Sequence, residues 1–128
     1  LQNHSARIIE NNFDYINTRG IQLVYKLGWM DVKERFIYFQ TLLIFKCIHG
    51  LAPNYLINNV IFEFEVRNVS KRNHDLNLFI PFPENEYYKK LLFYRGAVYW
   101  NALPNGIKEC VNLNNFKLLL KKYIKSCR

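Results

Sequence analysis

Apolar positions recur along this chain with two different periods, and the change of period divides it. Leu1, Ala6, Ile8 and Ile9 interleave with Gln2, Asn3, Ser5 and Arg7, which predicts a short amphipathic helix ended by Asn11-Asn12. Ile21, Val24, Tyr25 and Leu27 follow at helical spacing behind Thr18, a candidate N-cap. Gly28 suits the left-handed position that closes such a helix. Asp31-Val32-Lys33-Glu34 has the form of a capping box, in which the Asp31 carboxylate takes a free N–H of the first turn while Glu34 reaches back. The helix it opens should run over 32–49, about 27 Å, with Gly50 as terminator. Val32, Phe36, Ile37, Tyr38, Phe39, Leu42, Leu43, Ile44, Phe45 and Ile48 cover nearly its whole circumference, which predicts a central buried helix. Pro53 fits the first turn of a short helix through Asn58.

Beyond residue 60 the period drops to two. Phe62, Phe64 and Val66 alternate with Glu63 and Glu65, and Leu76, Leu78, Ile80 and Phe82 alternate likewise, which predicts a small antiparallel hairpin over 61–83 around a polar basic loop. Pro81 and Pro83 mark its end or an edge. Tyr87–Leu103 reads as an extended or turn segment to about Tyr94 and a helix over Ala97–Leu103, split by Gly96. Asn105-Gly106 signals a turn. Asn112 then caps a last helix, with Leu113, Phe116, Leu119, Leu120, Tyr123 and Ile124 on one face and Lys117, Lys121, Lys122 and Lys125 on the other. The expected fold is mainly α with a small β-hairpin (α+β), an orthogonal helical bundle around helix 32–49 closed by helix 113–125. It is read as one domain, 1–128, with parts 1–60, 61–83 and 84–128, and as a fragment of a longer polyprotein.

Composition excludes several classes. Half of the 128 residues are apolar and 16% aromatic, too rich for a disordered tail, and 5 Gly with 4 Pro exclude a collagenous or linker segment. No apolar run exceeds Leu42–Phe45, so nothing approaches the ~18 residues of a membrane span, and no membrane partner is expected. Cys47, Cys110 and Cys127, odd in number and widely spaced, argue against a disulfide framework and for a reducing compartment. Cys47 and His49 lie on different sides of a helix and lack the four converging ligands of a zinc site, so no metal and no other cofactor is expected. His4, His49 and His74 have no nucleophile partner in a triad context, and His49 reads as a packing or capping group at a helix C-terminus. No catalytic residue and no small-molecule substrate are expected.

The charge is 18 basic against 10 acidic residues, net +8, and most of the excess falls beyond residue 60. Lys117, Lys121, Lys125 and Arg128 are spaced i, i+4, i+8 and i+11 with Lys122 beside them, a cationic stripe that can lie along a phosphate backbone or simply be a solvated helix face. Arg67, Lys71 and Arg72, with His74, form a second basic group in the expected loop. Lys89, Lys90 and Arg95 interleave with Tyr87, Tyr88, Phe93 and Tyr94; aromatics beside cations can stack unpaired bases, but here they are expected to belong to the core. Trp29 and Trp100 read as core anchors, and Gly28, Gly50 and Pro53 as backbone-geometry residues. Trp29 is expected to pack on the long helix.

Five strings in order carry a resemblance: Leu1-Gln2-Asn3 with Ala6-Arg7-Ile8-Ile9; Leu27 to Arg35 through Gly28 and Trp29; Lys46 to Leu56 through Gly50 and Pro53; Arg95 to Pro104 through Trp100; and Leu113 to Tyr123. Together they resemble the C-terminal end of the reverse transcriptase of LINE-type (non-LTR) retrotransposons, the jockey-like relatives best. The resemblance implies a thumb and post-thumb region that follows the polymerase palm. No Asp-Asp or Glu-Asp pair matches the palm's catalytic carboxylates, so the fragment is expected to be no enzyme on its own, within an RNA-directed DNA polymerase.

By that resemblance its partners are RNA template, primer and target DNA, and the rest of the polyprotein, and the parent protein works in the nucleus and cytoplasm. Nucleic-acid contact is then expected from Lys117, Lys121, Lys122, Lys125 and Arg128, and less strongly from Arg67, Lys71 and Arg72. Gly28, Trp29, Gly50, Pro53, Trp100 and Pro104 are expected to encode fold. The alternative is a structural or protein-interaction module that packs on the palm, or a decayed remnant without activity. An apolar surface patch on the folded chain would favour docking, and a continuous positive groove would favour nucleic acid.

Overall fold

The structure, a computed structural model, describes residues 1–67 and 76–128. It is mainly α. In chain order the helices are α1 (Gln2–Glu10), α2 (Gly20–Lys26), α3 (Val32–Ile48), α4 (Asn54–Ile57), α5 (Glu63–Arg67), a 3-10 turn (Tyr88–Lys90), α6 (Leu92–Ala102), α7 (Asn105–Lys108) and α8 (Leu113–Ser126). They fall into two compact units, Leu1–Phe36 and Ile37–Arg128, with the division inside α3.

In the first unit Ala6 of α1 meets Leu23 and Val24 of α2, and Tyr25, Leu27 and Trp29 pack against them. Trp29, expected as a core anchor, packs against this α1–α2 cluster. Arg7, expected on the polar face of α1, is only 5% exposed. Its guanidinium donates to the carbonyl oxygens of Asn12 (3.4 Å), Asp14 (3.2 Å) and Thr18 (2.6 Å), and it stacks 4.3 Å from the Tyr15 ring centre. Thr18 thus accepts from Arg7 through its carbonyl, and Arg19, not Thr18, precedes the first turn of α2. The Asp14 carboxylate takes the N–H groups of Ile16 and Asn17 at 3.1 Å each; these bonds, that of Asn17 first, hold its pKa below the usual carboxylate value.

The capping box forms in both directions. The Asp31 carboxylate accepts from the Glu34 N–H at 2.8 Å, and the Glu34 carboxylate accepts from the Asp31 N–H at 2.9 Å. Three helix ends close in the same way, with a left-handed residue followed by a paired reach-back. At Gly28 (φ +72°) the bonds are Gly28 N–H to Tyr25 and Trp29 N–H to Val24; at Gly50 (φ +71°) they are Gly50 N–H to Cys47 and Leu51 N–H to Lys46. Asn11 (φ 49°) does this at the end of α1, which is why Asn11-Asn12 stop it.

The second unit is built on a ring stack. Phe45 of α3 lies face to face with Phe116 of α8, 4.1 Å between ring centres, and Trp100 of α6 tilts against the same Phe116 at 5.9 Å. Tyr38, Leu42, Ile44, Cys47, Leu78, Ala97, Leu103, Ile107, Leu120 and Ile124 are buried with them. The long helix is less enclosed than its apolar circumference suggested: Phe39 is exposed here, as are Val32 and Phe36 in the first unit.

Three expected local structures differ. Residues 63–67 form α5 instead of a strand. A five-residue alternation also places Phe62 and Val66 four apart, and Glu63 and Glu65 in the first turn suit the positive end of a helix. Among the described residues the expected hairpin reduces to one antiparallel bridge, Phe62 with Leu78, flanked by Glu63 N–H to Asn77 and Phe79 N–H to Ile61. Helix α6 starts at Leu92 and runs through Gly96, because a side chain there would strike buried Ile44, with a Cβ only 2.7 Å from its Cγ1. Asn105-Gly106 opens the short helix α7, capped by Pro104, instead of turning; Pro53 caps α4 with nearly the same backbone angles.

Gly28→Ala and Gly50→Ala should each lower unfolding stability by about 1–2 kcal/mol in urea titrations. Neither added methyl meets any atom, so the whole cost is that of the left-handed backbone. Gly96→Ala should also destabilise, by about 1–3 kcal/mol, although alanine is the better helix former, since the added methyl would lie 2.7 Å from the Cγ1 of buried Ile44 and force it to shift.

Candidate nucleic-acid interface

Helix α8 is the element on which the expected cations converge. Asn112 caps it as predicted, its side-chain oxygen accepting from Asn114 N–H (2.9 Å) and Asn115 N–H (3.4 Å). Phe116, Leu120 and Ile124 are buried, and the Tyr123 hydroxyl donates to the Ala102 carbonyl at 3.3 Å. Leu119, expected on the packed face, is partly exposed beside Leu118. Lys117, Lys121 and Lys125 then climb one flank, about 6 Å of rise per step. Lys117 is half-buried, whereas Lys121, Lys122 and Lys125 are exposed. Lys121, in the middle of the row, has its Nζ 5.6 Å from the Tyr38 ring centre on α3. The helix ends at Ser126, so Arg128 is exposed beyond the C-cap and does not continue the helical row.

The second basic group is not brought to this helix by anything described. Arg67 is the last residue of α5, and Lys71 and Arg72, with His74, lie outside the described residues. In the third group Tyr87 is 78% exposed, contrary to a core role, with Lys90 Nζ 5.6 Å from its ring centre; Lys89 pairs with Glu86 at 2.8 Å. Phe93 and Tyr94 are partly buried. His49 packs on Phe45, 4.2 Å between ring centres. Cys47, Cys110 and Cys127 are free, and burial raises the Cys47 thiol pKa. Among the described residues no group of His, Cys, Asp or Glu is placed to hold a metal, and no helix is long and apolar enough to cross a membrane.

The motif around Trp100 has a geometric role that residue type alone did not disclose. Trp100 Nε1 donates to the Leu76 carbonyl at 2.8 Å. The Asn101 carboxamide accepts from the Leu78 N–H at 2.8 Å and donates to the Leu78 carbonyl at 3.0 Å, replacing a neighbouring strand. Lys108, buried in α7, donates to the Asn77 side chain (2.7 Å) and the Asn101 carbonyl (3.0 Å). Burial pushes its pKa below the usual lysine value. Asn101 and Lys108 were not singled out in the sequence; adjacency to Trp100 was the one available signal for Asn101, and there was none for Lys108.

Asn101→Ala should cost about 1–3 kcal/mol of stability, because both polar groups of Leu78 lose their partner. The lowered pKa of Lys108 means that the unfolded chain holds this proton to higher pH. Its contribution to stability should therefore rise with pH between the lowered folded value and the unfolded value near 10.4. The stability difference between the wild type and Lys108→Met, measured by urea unfolding across that window, should grow in favour of the wild type. In comparison with known proteins, no family model, no curated protein and no solved structure matches this chain.

Proposed function

We propose that this chain is the non-catalytic thumb and C-terminal region of a LINE-type reverse transcriptase, and that it holds RNA template and DNA during target-primed synthesis. The observation that carries the reading is the two-sided build of α8: Phe116, Leu120 and Ile124 fix it in the second unit, while Lys121, Lys122 and Lys125 are exposed residues on its other side. Ammonium groups at such spacing neutralise phosphates and release their counterions, a sequence-independent attraction that suits a protein following a moving template. The motif residues named for the resemblance serve the fold. Gly28 and Gly50 close helices, Pro53 and Pro104 open them, and Trp100 and Trp29 anchor packing. By this reading the parent protein is the RNA-directed DNA polymerase, working in the nucleus and cytoplasm, and its carboxylates lie outside this chain.

A second reading, docking on the palm, is favoured by the first unit, where Ile8, Ile9, Phe13, Tyr15 and Ile16 are all more than half exposed. Binding of the chain to a labelled RNA–DNA hybrid across a salt series separates the two. Neutralisation of about five phosphates should give a log–log slope of roughly −3.5 to −4.5. Lys121→Glu with Lys122→Glu and Lys125→Glu, all at exposed positions, should abolish most of that binding. An unchanged slope in the triple variant, or no binding at low salt, would overturn the nucleic-acid reading and leave docking.

A further inference from the structure

The segment 82–90 of the second unit has a composition that neither the fold nor α8 uses. Phe82 is 93% exposed and Tyr87 78% exposed, five residues apart in one bent stretch. Lys90 stands over the Tyr87 ring. Of the two acids in the stretch, Glu86 is neutralised by Lys89 and Glu84 is exposed; Arg95, exposed on α6, adds a further cation. The flanking residues Pro81 and Leu91 both line a hollow of about 300 Å³, walled also by Phe79, Phe93 and Tyr94 with Asn59 as a polar group. The exposed segment therefore begins and ends at that hollow, which is large enough for one nucleobase.

We infer that this segment is a stacking platform for unpaired bases of a single-stranded nucleic acid. Phe82 and Tyr87 supply the ring faces, and Lys90 and Arg95 meet the phosphates. Duplex bases are paired and stacked on each other, so only a single strand offers free faces to two exposed rings. A protein partner fits less well, since the second unit carries the chain's excess of positive charge. The inference rests on the nucleic-acid reading above and narrows it to the strand state of the ligand.

The test uses the whole chain and two labelled probes of equal length and charge, oligothymidylate of twelve nucleotides and a twelve-unit abasic strand. Stacking of one base is worth roughly 5- to 150-fold in affinity, so the wild type should prefer the thymidylate by at least about tenfold. Phe82→Ala with Tyr87→Ala should remove the preference and leave abasic binding unchanged, with circular dichroism confirming the fold. Tyr87→Phe alone should keep it. The α8 triple variant should weaken both probes equally. Equal binding of the two probes by the wild type, or a preference that survives the double alanine variant, overturns the platform; the nucleic-acid reading then stands if the α8 variant still loses affinity. Absence of binding to either probe and to the hybrid overturns both.

Discussion

The second unit depends on one carboxamide. A strand segment at 76–79 has one edge partly paired by the bridge to Phe62, and its other edge would leave a buried amide and carbonyl without partners. Asn101 meets both at Leu78 from a single side chain, and it does so from a helix. A carboxamide has the donor and the acceptor side by side in one plane; a carboxylate presents acceptors alone and a leucine neither. Around that pairing Trp100 and Lys108 tie down Leu76 and Asn77, so that α6 and α7 together grip the segment. The same α6 turns Trp100 into the ring stack that seats α8, and thereby sets where the lysines point.

Much of the helical layout was legible in the sequence because the signals were local. The capping box at Asp31 and Glu34, the Asn112 cap and the stops at Gly28 and Gly50 each rest on residues within one turn. Long-range effects were not legible. Gly96 looked like a break because its neighbour Ile44 is 52 positions away, and only their close approach explains a glycine inside a helix. The alternation at 62–66 was too short to separate the two periods. Arg7 looked like a surface residue, since nothing in its own turn announces that three loop carbonyls will come to it.

The candidate site was legible in part for the same reason. The row at Lys117, Lys121 and Lys125 follows from helical periodicity once the helix is known, but Arg128 depended on where the helix would stop. The exposure of Phe82 and Tyr87 ran against hydrophobicity, which assigns aromatics to the interior. Both lie between the bridge at Leu78 and α6, in a bent stretch interrupted by Pro83. The two basic surfaces differ in kind, α8 offering charge on a rigid rod and segment 82–90 offering rings on a loop.

Arg7 has a consequence of another sort. A guanidinium that is buried beside an acid exchanges that partner for solvent ions when salt or acid is added. Here its hydrogen-bond partners are neutral peptide oxygens. The loop from Asn12 to Thr18 is thus fastened at three carbonyls by one planar side chain, and from within by the Asp14 carboxylate. Lysine in its place would keep the charge and lose the fork that reaches three oxygens at once. For a surface loop, such fastening means that Phe13, Tyr15 and Ile16 are presented from a backbone held at three points.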